Sequence, residues 1–171
     1  LPRISRCADR GFHCRLSCAG SCRGAWGMTD LITRAARGWI GTPYVHQASC
    51  RGVGADCLGL LRGVWREVIG AEPEAVPAYT PDWDEVARGE VLNAAAGRWL
   101  RPVPVGGQGP GQVLLFRMRD GAVAKHLGIS AEQAGGVSFI HAYSGHGVVE
   151  SPLSEPWARR IVARFSFPVG V

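Results

Sequence analysis

No apolar run in this 171-residue chain approaches the roughly 18 to 20 residues needed to cross a bilayer as a helix, so no stretch reads as a transmembrane span. The first residues also lack the apolar core of about 7 to 15 residues that a secretory signal carries, and the expectation is synthesis in the cytoplasm without signal-peptide export. Charged residues make up only 19%, and no long stretch combines low hydrophobicity with high charge, which argues against global disorder. The net charge of +5 comes from a basic count dominated by arginine, with Arg3, Arg6, Arg10, Arg15 and Arg23 in the first 27 residues. Such a balance suits an acidic partner, yet no helix-turn-helix, RNA-binding aromatic pair or zinc-finger spacing accompanies it, and nucleic acid is not expected.

With 46% hydrophobic residues, the chain is long enough for one packed core and short for two. Residues 1–27 hold Cys7, Cys14, Cys18 and Cys22 among scattered Arg and Gly, with no helical or strand period, and are expected to be unstructured or to lie upstream of a true start at Met28. Four cysteines plus His13 raise the question of a metal site, but the gaps between Cys14, Cys18 and Cys22 match no paired CxxC pattern, and no metal is expected. From Met28 on, only Cys50 and Cys57 remain, which fits a reducing compartment without a structural disulfide. Residues 28–171 are expected to form a single domain.

Leu31, Ile32, Ala35, Ala36 and Trp39 fall at helical spacing, with Thr29 or Asp30 as the expected N-cap and Gly41, Thr42 and Pro43 as the stop. After Asp56, the residues Leu58, Leu61, Val64, Trp65, Val68 and Ile69 are apolar around most of a helix, which predicts a central buried helix closed by Gly70. A Pro- and Gly-rich excursion follows, with one helical stretch near Trp83 to Trp99. The remainder reads as β: 112–118, 123–129, 138–143, 148–153 and 161–167, with a turn at 119–121. Helices first and strands after predict an α+β fold, a helix packed on an antiparallel sheet of about five strands.

Asp56 is suited to cap the central helix, which places Cys57 in its first turn, where free backbone N–H groups and the positive end of the helix dipole favour an anion. A thiolate is that anion, and a thiol pKa below the ordinary value of about 8.5 is expected if the dipole and a nearby imidazolium outweigh the Asp56 charge. His126 lies on a predicted strand whose alternation puts it with Gly128 and Ser130 on one face and Leu127 with Ile129 on the other. His141 falls on the next strand, where it can stand beside His126 and orient its ring; His146, in a glycine-flanked turn, competes less well for that role.

Gly41-Thr42-Pro43-Tyr44, Asp56-Cys57-Leu58-Gly59-Leu60, His126-Leu127-Gly128-Ile129 and Ile140-His141-Ala142-Tyr143, in that order, resemble the signature of the NlpC-type cell-wall cysteine peptidases, especially the branch encoded with phage tails and gene transfer agents. The resemblance spans about 31–167. It implies a papain-like fold and cleavage of an amide in the peptide stem of peptidoglycan, commonly between D-glutamate and the diamino acid. It implies Cys57 as nucleophile, His126 as base, His141 as orienting residue and Tyr44 as part of the oxyanion site. No cofactor is needed. The implied partners are stem peptides and phage-like tail proteins, with delivery to the wall in a phage-like particle, and an anionic wall suits the basic charge. Many members carry Ser where this chain has Leu58, a departure that bears on specificity.

Other residues are less telling. His46 and Gln47 are candidates to line the cleft, and Cys50 reads as a bystander rather than a redox partner. Trp83 and Trp99 fit a core better than a sugar platform. Gly59 allows either close helix packing or substrate approach, and Glu150 reads as a surface charge at a strand end. Two rivals stand beside the peptidase: an acyltransferase or amidase using the same residues, and a phage-tail structural protein with a vestigial site.

Overall fold

The computed structural model describes residues 27–80, 89–104 and 106–168, and in it the apolar spacing of the first third becomes two packed helices. Helix α1 spans Met28–Arg37 and buries Ile32, Thr33 and Ala36. Its N-cap is Gly27, not Thr29 or Asp30; the Gly27 carbonyl takes the Asp30 and Leu31 N–H groups, which moves the cap back by two or three residues. All but Gly27 of the segment 1–27 lies outside the described residues, and with it the cysteines weighed as a metal site.

Two short strands, β1 (Ser49–Cys50) and β2 (Gly54–Ala55), pair antiparallel and lead into helix α2, Cys57–Val68. Asp56 caps α2 by accepting the Gly59 N–H at 2.7 Å. Leu60, Gly63, Val64 and Trp65 are buried, while Leu58, Leu61 and Val68 are partly exposed. Helix α3 (Val91–Trp99) is the C-terminal part of the stretch expected near Trp83 to Trp99, and 83–88 lie outside the described residues.

The sheet has six strands, not about five: β3 (Arg101–Pro102), β4 (Val113–Phe116), β5 (His126–Gln133), β6 (Gly136–Tyr143), β7 (Gly147–Pro152) and β8 (Ile161–Ser166), in the antiparallel order β3-β8-β4-β5-β6-β7. The extra strand β3 is two residues long and ends in Pro102, which is tolerable only because it lies on the edge beside β8. Strand β5 starts three residues later than the apolar pattern suggests and runs on through polar Glu132 and Gln133, which pair with Val137 and Gly136 in the hairpin to β6.

Alternation divides the sheet's side chains between two cores. Val113, Leu115, Leu127, Ile129, Ile140, Ala142, Val148 and Phe165 join Ile32, Trp39, Leu60, Val64 and Trp65 in the larger one. Leu114, Phe116 and Phe139 form the smaller one on the opposite face, closed by Met118, Leu153, Ile161 and Trp157, the last on the short helix α4 (Glu155–Ala158). The Arg37 guanidinium ties α1 to β7 through Glu150 at 2.8 and 2.9 Å, and Ser138 donates to the same carboxylate at 2.7 Å. Glu150 is therefore an internal anchor with little exposure rather than a free surface charge.

Gly59 is needed because the chain passes it too closely for a side chain: a Cβ there would stand 1.8 Å from the Ala48 carbonyl oxygen. The close packing of α2 on the preceding loop thus requires this glycine, whereas Gly97 in α3 has open space around it. Gly59→Ala is expected to destabilise by about 1–3 kcal/mol, as overpacking does. Gly97→Ala is expected to gain up to about 1 kcal/mol from helix propensity. Urea unfolding of the two variants checks the contrast.

Candidate functional site

The site begins at Asp56, a carboxylate only 3% exposed. One oxygen caps α2 at Gly59; the other accepts the Gln47 N–H at 2.7 Å and the Tyr79 hydroxyl at 2.5 Å, and His46 Nδ1 lies 3.5 Å from it. Gln47 takes a left-handed backbone conformation, φ 62°, to present that N–H, a strained state for a non-glycine residue held by the bond it makes. The loop is also bound to the start of α2 by backbone bonds: Ala55 N–H to the Pro43 carbonyl, Val45 N–H to the Ala55 carbonyl and Asp56 N–H to the Ala48 carbonyl. These bonds hold Tyr44 beside Ala55, two residues before Cys57.

Cys57 sits in the first turn of α2 and reaches the strand carrying His126. Its sulfur lies 3.8 Å from the Lys125 carbonyl, and the N–H groups of Leu127, Leu58 and Cys57 itself favour its anion. Burial and, after it, the Asp56 charge outweigh those N–H groups and push the thiol up to about 12. The sequence-based expectation of a lowered thiol pKa is therefore overturned: the half-buried thiol loses solvation, and the carboxylate that caps its helix is its neighbour. The Tyr44 phenol is also raised, by burial first and then by Cys57 and Asp56, so its ring stands in the electrostatic reach of both.

His126 and His141 meet directly. His126 Nε2 is 2.9 Å from His141 Nδ1, with the rings near perpendicular at 80°. On its far side, His141 Nε2 is 3.1 Å from Ser151 Oγ on β7. The His126 ring packs against Phe116 and Trp157, and the His141 ring against Phe139 and Trp157, so the pair sits on the aromatic face of the sheet. Burial lowers His126 to about 3, with His141 adding to the effect, and burial lowers His141 to about 4, with His146 adding. Both rings are neutral at pH 7. The sulfur meets the peptide stretch 125–127 that carries His126, while the His126 ring packs on Phe116.

The structure thus brings His126 to His141 and sets Cys57 against the peptide groups either side of His126. His46 is engaged elsewhere, with Nε2 donating to the Tyr79 carbonyl at 2.9 Å and Nδ1 3.5 Å from the Asp56 carboxylate. His146 lies in the exposed β6–β7 turn. Two participants escaped the sequence reading. Tyr79 comes from the Pro-rich excursion, where no periodicity points to it, and Ser151 is one hydroxyl among many on a strand. Tyr79, Leu58 and Leu127 border a largely apolar cavity of about 600 Å³ between α2, α3 and the excursion, and Trp99 lines its far part. Among the described residues, no three His, Cys, Asp or Glu side chains are grouped to hold a metal ion, and no helix is long and apolar enough to cross a membrane.

Solved structures share this arrangement of elements. The NlpC/p60 domain of the peptidoglycan hydrolase SagA matches 81% of this chain and 98% of its own, at 25% identity and a TM-score of 0.54. An NlpC/P60 family protein from Bacillus cereus ATCC 10987 gives a TM-score of 0.58 at 17% identity, over 81% of this chain and 40% of that one. The fold is that of NlpC/P60 domains. A lipoprotein-like NLP/P60 protein from Staphylococcus aureus Mu50 agrees, with a TM-score of 0.53 at 18% identity, over 82% of this chain and 41% of that one. In sequence, the chain is 29% identical over 133 residues to the Escherichia coli K12 murein DD-endopeptidase MepS/murein LD-carboxypeptidase, covering 74% of this chain and 59% of that protein. The chain therefore spans less than two thirds of the curated relative's length. No family model matches it.

A thiol pushed up to about 12 stays protonated through neutral pH, so Cys57 and His126 both rest neutral rather than as a thiolate and an imidazolium. Alkylation of Cys57 by iodoacetamide at pH 7 is expected to be at least about tenfold slower than that of free cysteine, since only the thiolate reacts. Timed labelling with peptide mass mapping checks this; fast labelling with an inflection below pH 7 would show a resting ion pair instead.

Proposed function

We propose that this chain is a peptidoglycan hydrolase, a thiol endopeptidase acting on an amide of the peptide stem with Cys57 as nucleophile, His126 as base and His141 as its orienting partner. The observation that carries the reading is the buried His126–His141 hydrogen bond on the strand whose backbone meets the Cys57 sulfur. The named activities of MepS and SagA, both peptidoglycan hydrolases, support the substrate class.

In the proposed reaction, the Cys57 thiol loses its proton to His126 as the sulfur attacks the amide carbon. The substrate itself brings charge complementarity that the free site lacks: the developing oxyanion is steadied by the Cys57 N–H at the helix start and by the Tyr44 hydroxyl. The tetrahedral species collapses, the C–N bond breaks, and the imidazolium of His126 protonates the leaving amine. Water, deprotonated by His126, then attacks the thioester and releases the carboxylic acid and the thiol. His141 steadies the transient imidazolium by accepting a hydrogen bond from His126 Nε2–H. The D-glutamyl–diamino acid bond is the proposed target, and a phage-like or gene-transfer-agent particle the proposed carrier, both from the sequence resemblance around Cys57 and His126.

Purified protein incubated with defined murein fragments is expected to release the product of stem cleavage, resolved by mass. Cys57→Ala is expected to abolish release, and Tyr44→Phe to slow it by about 10²- to 10³-fold, the usual loss for one oxyanion donor. Transfer of the acyl group to an added amine in preference to water would favour the acyltransferase, and binding without turnover a structural role.

A further inference from the structure

Three polar groups run in series away from the candidate nucleophile: His126, His141 and Ser151, with contacts of 2.9 and 3.1 Å. Both rings are neutral, so each carries one N–H, and the contact between them holds a single proton. Which way that proton points decides whether His126 can act as a base, and the answer is set by what lies at the far end of His141. If His141 Nε2–H donates to Ser151 Oγ, then His141 Nδ1 is bare and accepts from His126 Nε2–H. His126 Nδ1 is then bare too. If Ser151 donated instead, every proton would shift by one position and His126 Nδ1 would already carry hydrogen.

The exposure of Ser151 favours the first arrangement. His141 is 2% exposed and either arrangement gives its one N–H an acceptor, so the choice falls to the hydroxyl. Ser151 is partly exposed, so its hydroxyl proton has solvent to donate to while its lone pair faces the ring. The register places it there: Ser151 lies opposite Phe139, one diagonal step from His141 on the same face of β6 and β7.

We propose that Ser151 is a positioning residue that accepts a hydrogen bond from His141 Nε2–H, fixes the tautomers of both histidines, and so leaves His126 Nδ1 free to receive the thiol proton. This rests on the hydrolase reading only for the identity of that proton. The same acceptor favours the protonated dyad during turnover, because it lets His141 donate away from His126 while accepting from it. The other titratable groups facing the dyad are His146 and Tyr143 from the β6–β7 hairpin, with Arg160 beyond Trp157 on the α4 side, and Cys57 of α2 meets the Lys125 carbonyl next to His126.

The test reads tautomers directly, by long-range proton–nitrogen correlation spectra of the full chain labelled with ¹⁵N-histidine, in wild type, Ser151→Ala and Ser151→Thr. Wild type is expected to show Nε2–H on both rings, Ser151→Ala mixed tautomers, and Ser151→Thr the wild-type pattern. On murein fragments, Ser151→Ala is expected to lower kcat about tenfold with KM little changed. Its acid limb should move to lower pH, since loss of the acceptor makes the dyad a weaker base. A merely structural role would move the melting temperature and leave the tautomers and the acid limb in place. If the alanine variant does not fold, Ser151→Cys, a weaker acceptor of similar size, should show the same mixing. Nδ1–H on His141 in wild type, or unchanged tautomers and pH profile in a folded Ser151→Ala, would overturn the inference. The expected tautomers without turnover in wild type would support it while counting against the hydrolase.

Discussion

The buried carboxylate of Asp56 is the constraint on which the site depends. Its two oxygens are shared among a helix start, a loop backbone and a phenol, which come from three separate parts of the chain. Without it, the first turn of α2 has an orphaned N–H at Gly59, and Gln47 has no reason to hold a left-handed conformation. The same bonds fix the loop that carries Tyr44 and the excursion that carries Tyr79. Burial of the thiol and, after it, the charge of this neighbouring carboxylate keep Cys57 protonated in the free protein. The carboxylate that builds the site thus adds to what quiets it.

The histidine pair is cased in Phe116, Phe139 and Trp157. That apolar setting disfavours an imidazolium, and it also makes each hydrogen bond of the pair stronger than it would be in water. A neutral thiol and a neutral base need less charge separation at rest than an ion pair, and the proposed proton transfer is coupled to attack on substrate. The cost of burying charge then falls on the transition state, where the helix start and the Tyr44 hydroxyl are placed to offset it.

Much of this was legible in the sequence. The apolar spacing around Val64 located α2, Asp56 announced its cap, and the alternation around His126 and His141 placed both on neighbouring strands. Polar residues within regular elements betray their position because the period of the element fixes their face. What was not legible depended on partners distant in sequence. Tyr79 lies in a stretch without periodicity, and only the folded chain brings its hydroxyl to Asp56. Ser151 gains its meaning from a diagonal strand register, and Glu150 from Arg37, 113 residues away. The sign of the thiol's pKa shift turned on burial depth, which a helix dipole argument does not contain. Strand β3 is too short for any alternation to show.

The central claim is that one carboxylate holds the loop and the helix start together, and amide hydrogen exchange reads it at both ends. In Asp56→Ala, compared with wild type under native conditions, the Gln47 and Gly59 amides are predicted to lose protection together, while amides in the middle of α2 such as Val64 keep theirs. If Gln47 and Gly59 remained as protected as in wild type, the loop and the helix start would be held by something other than Asp56, and the account would be contradicted.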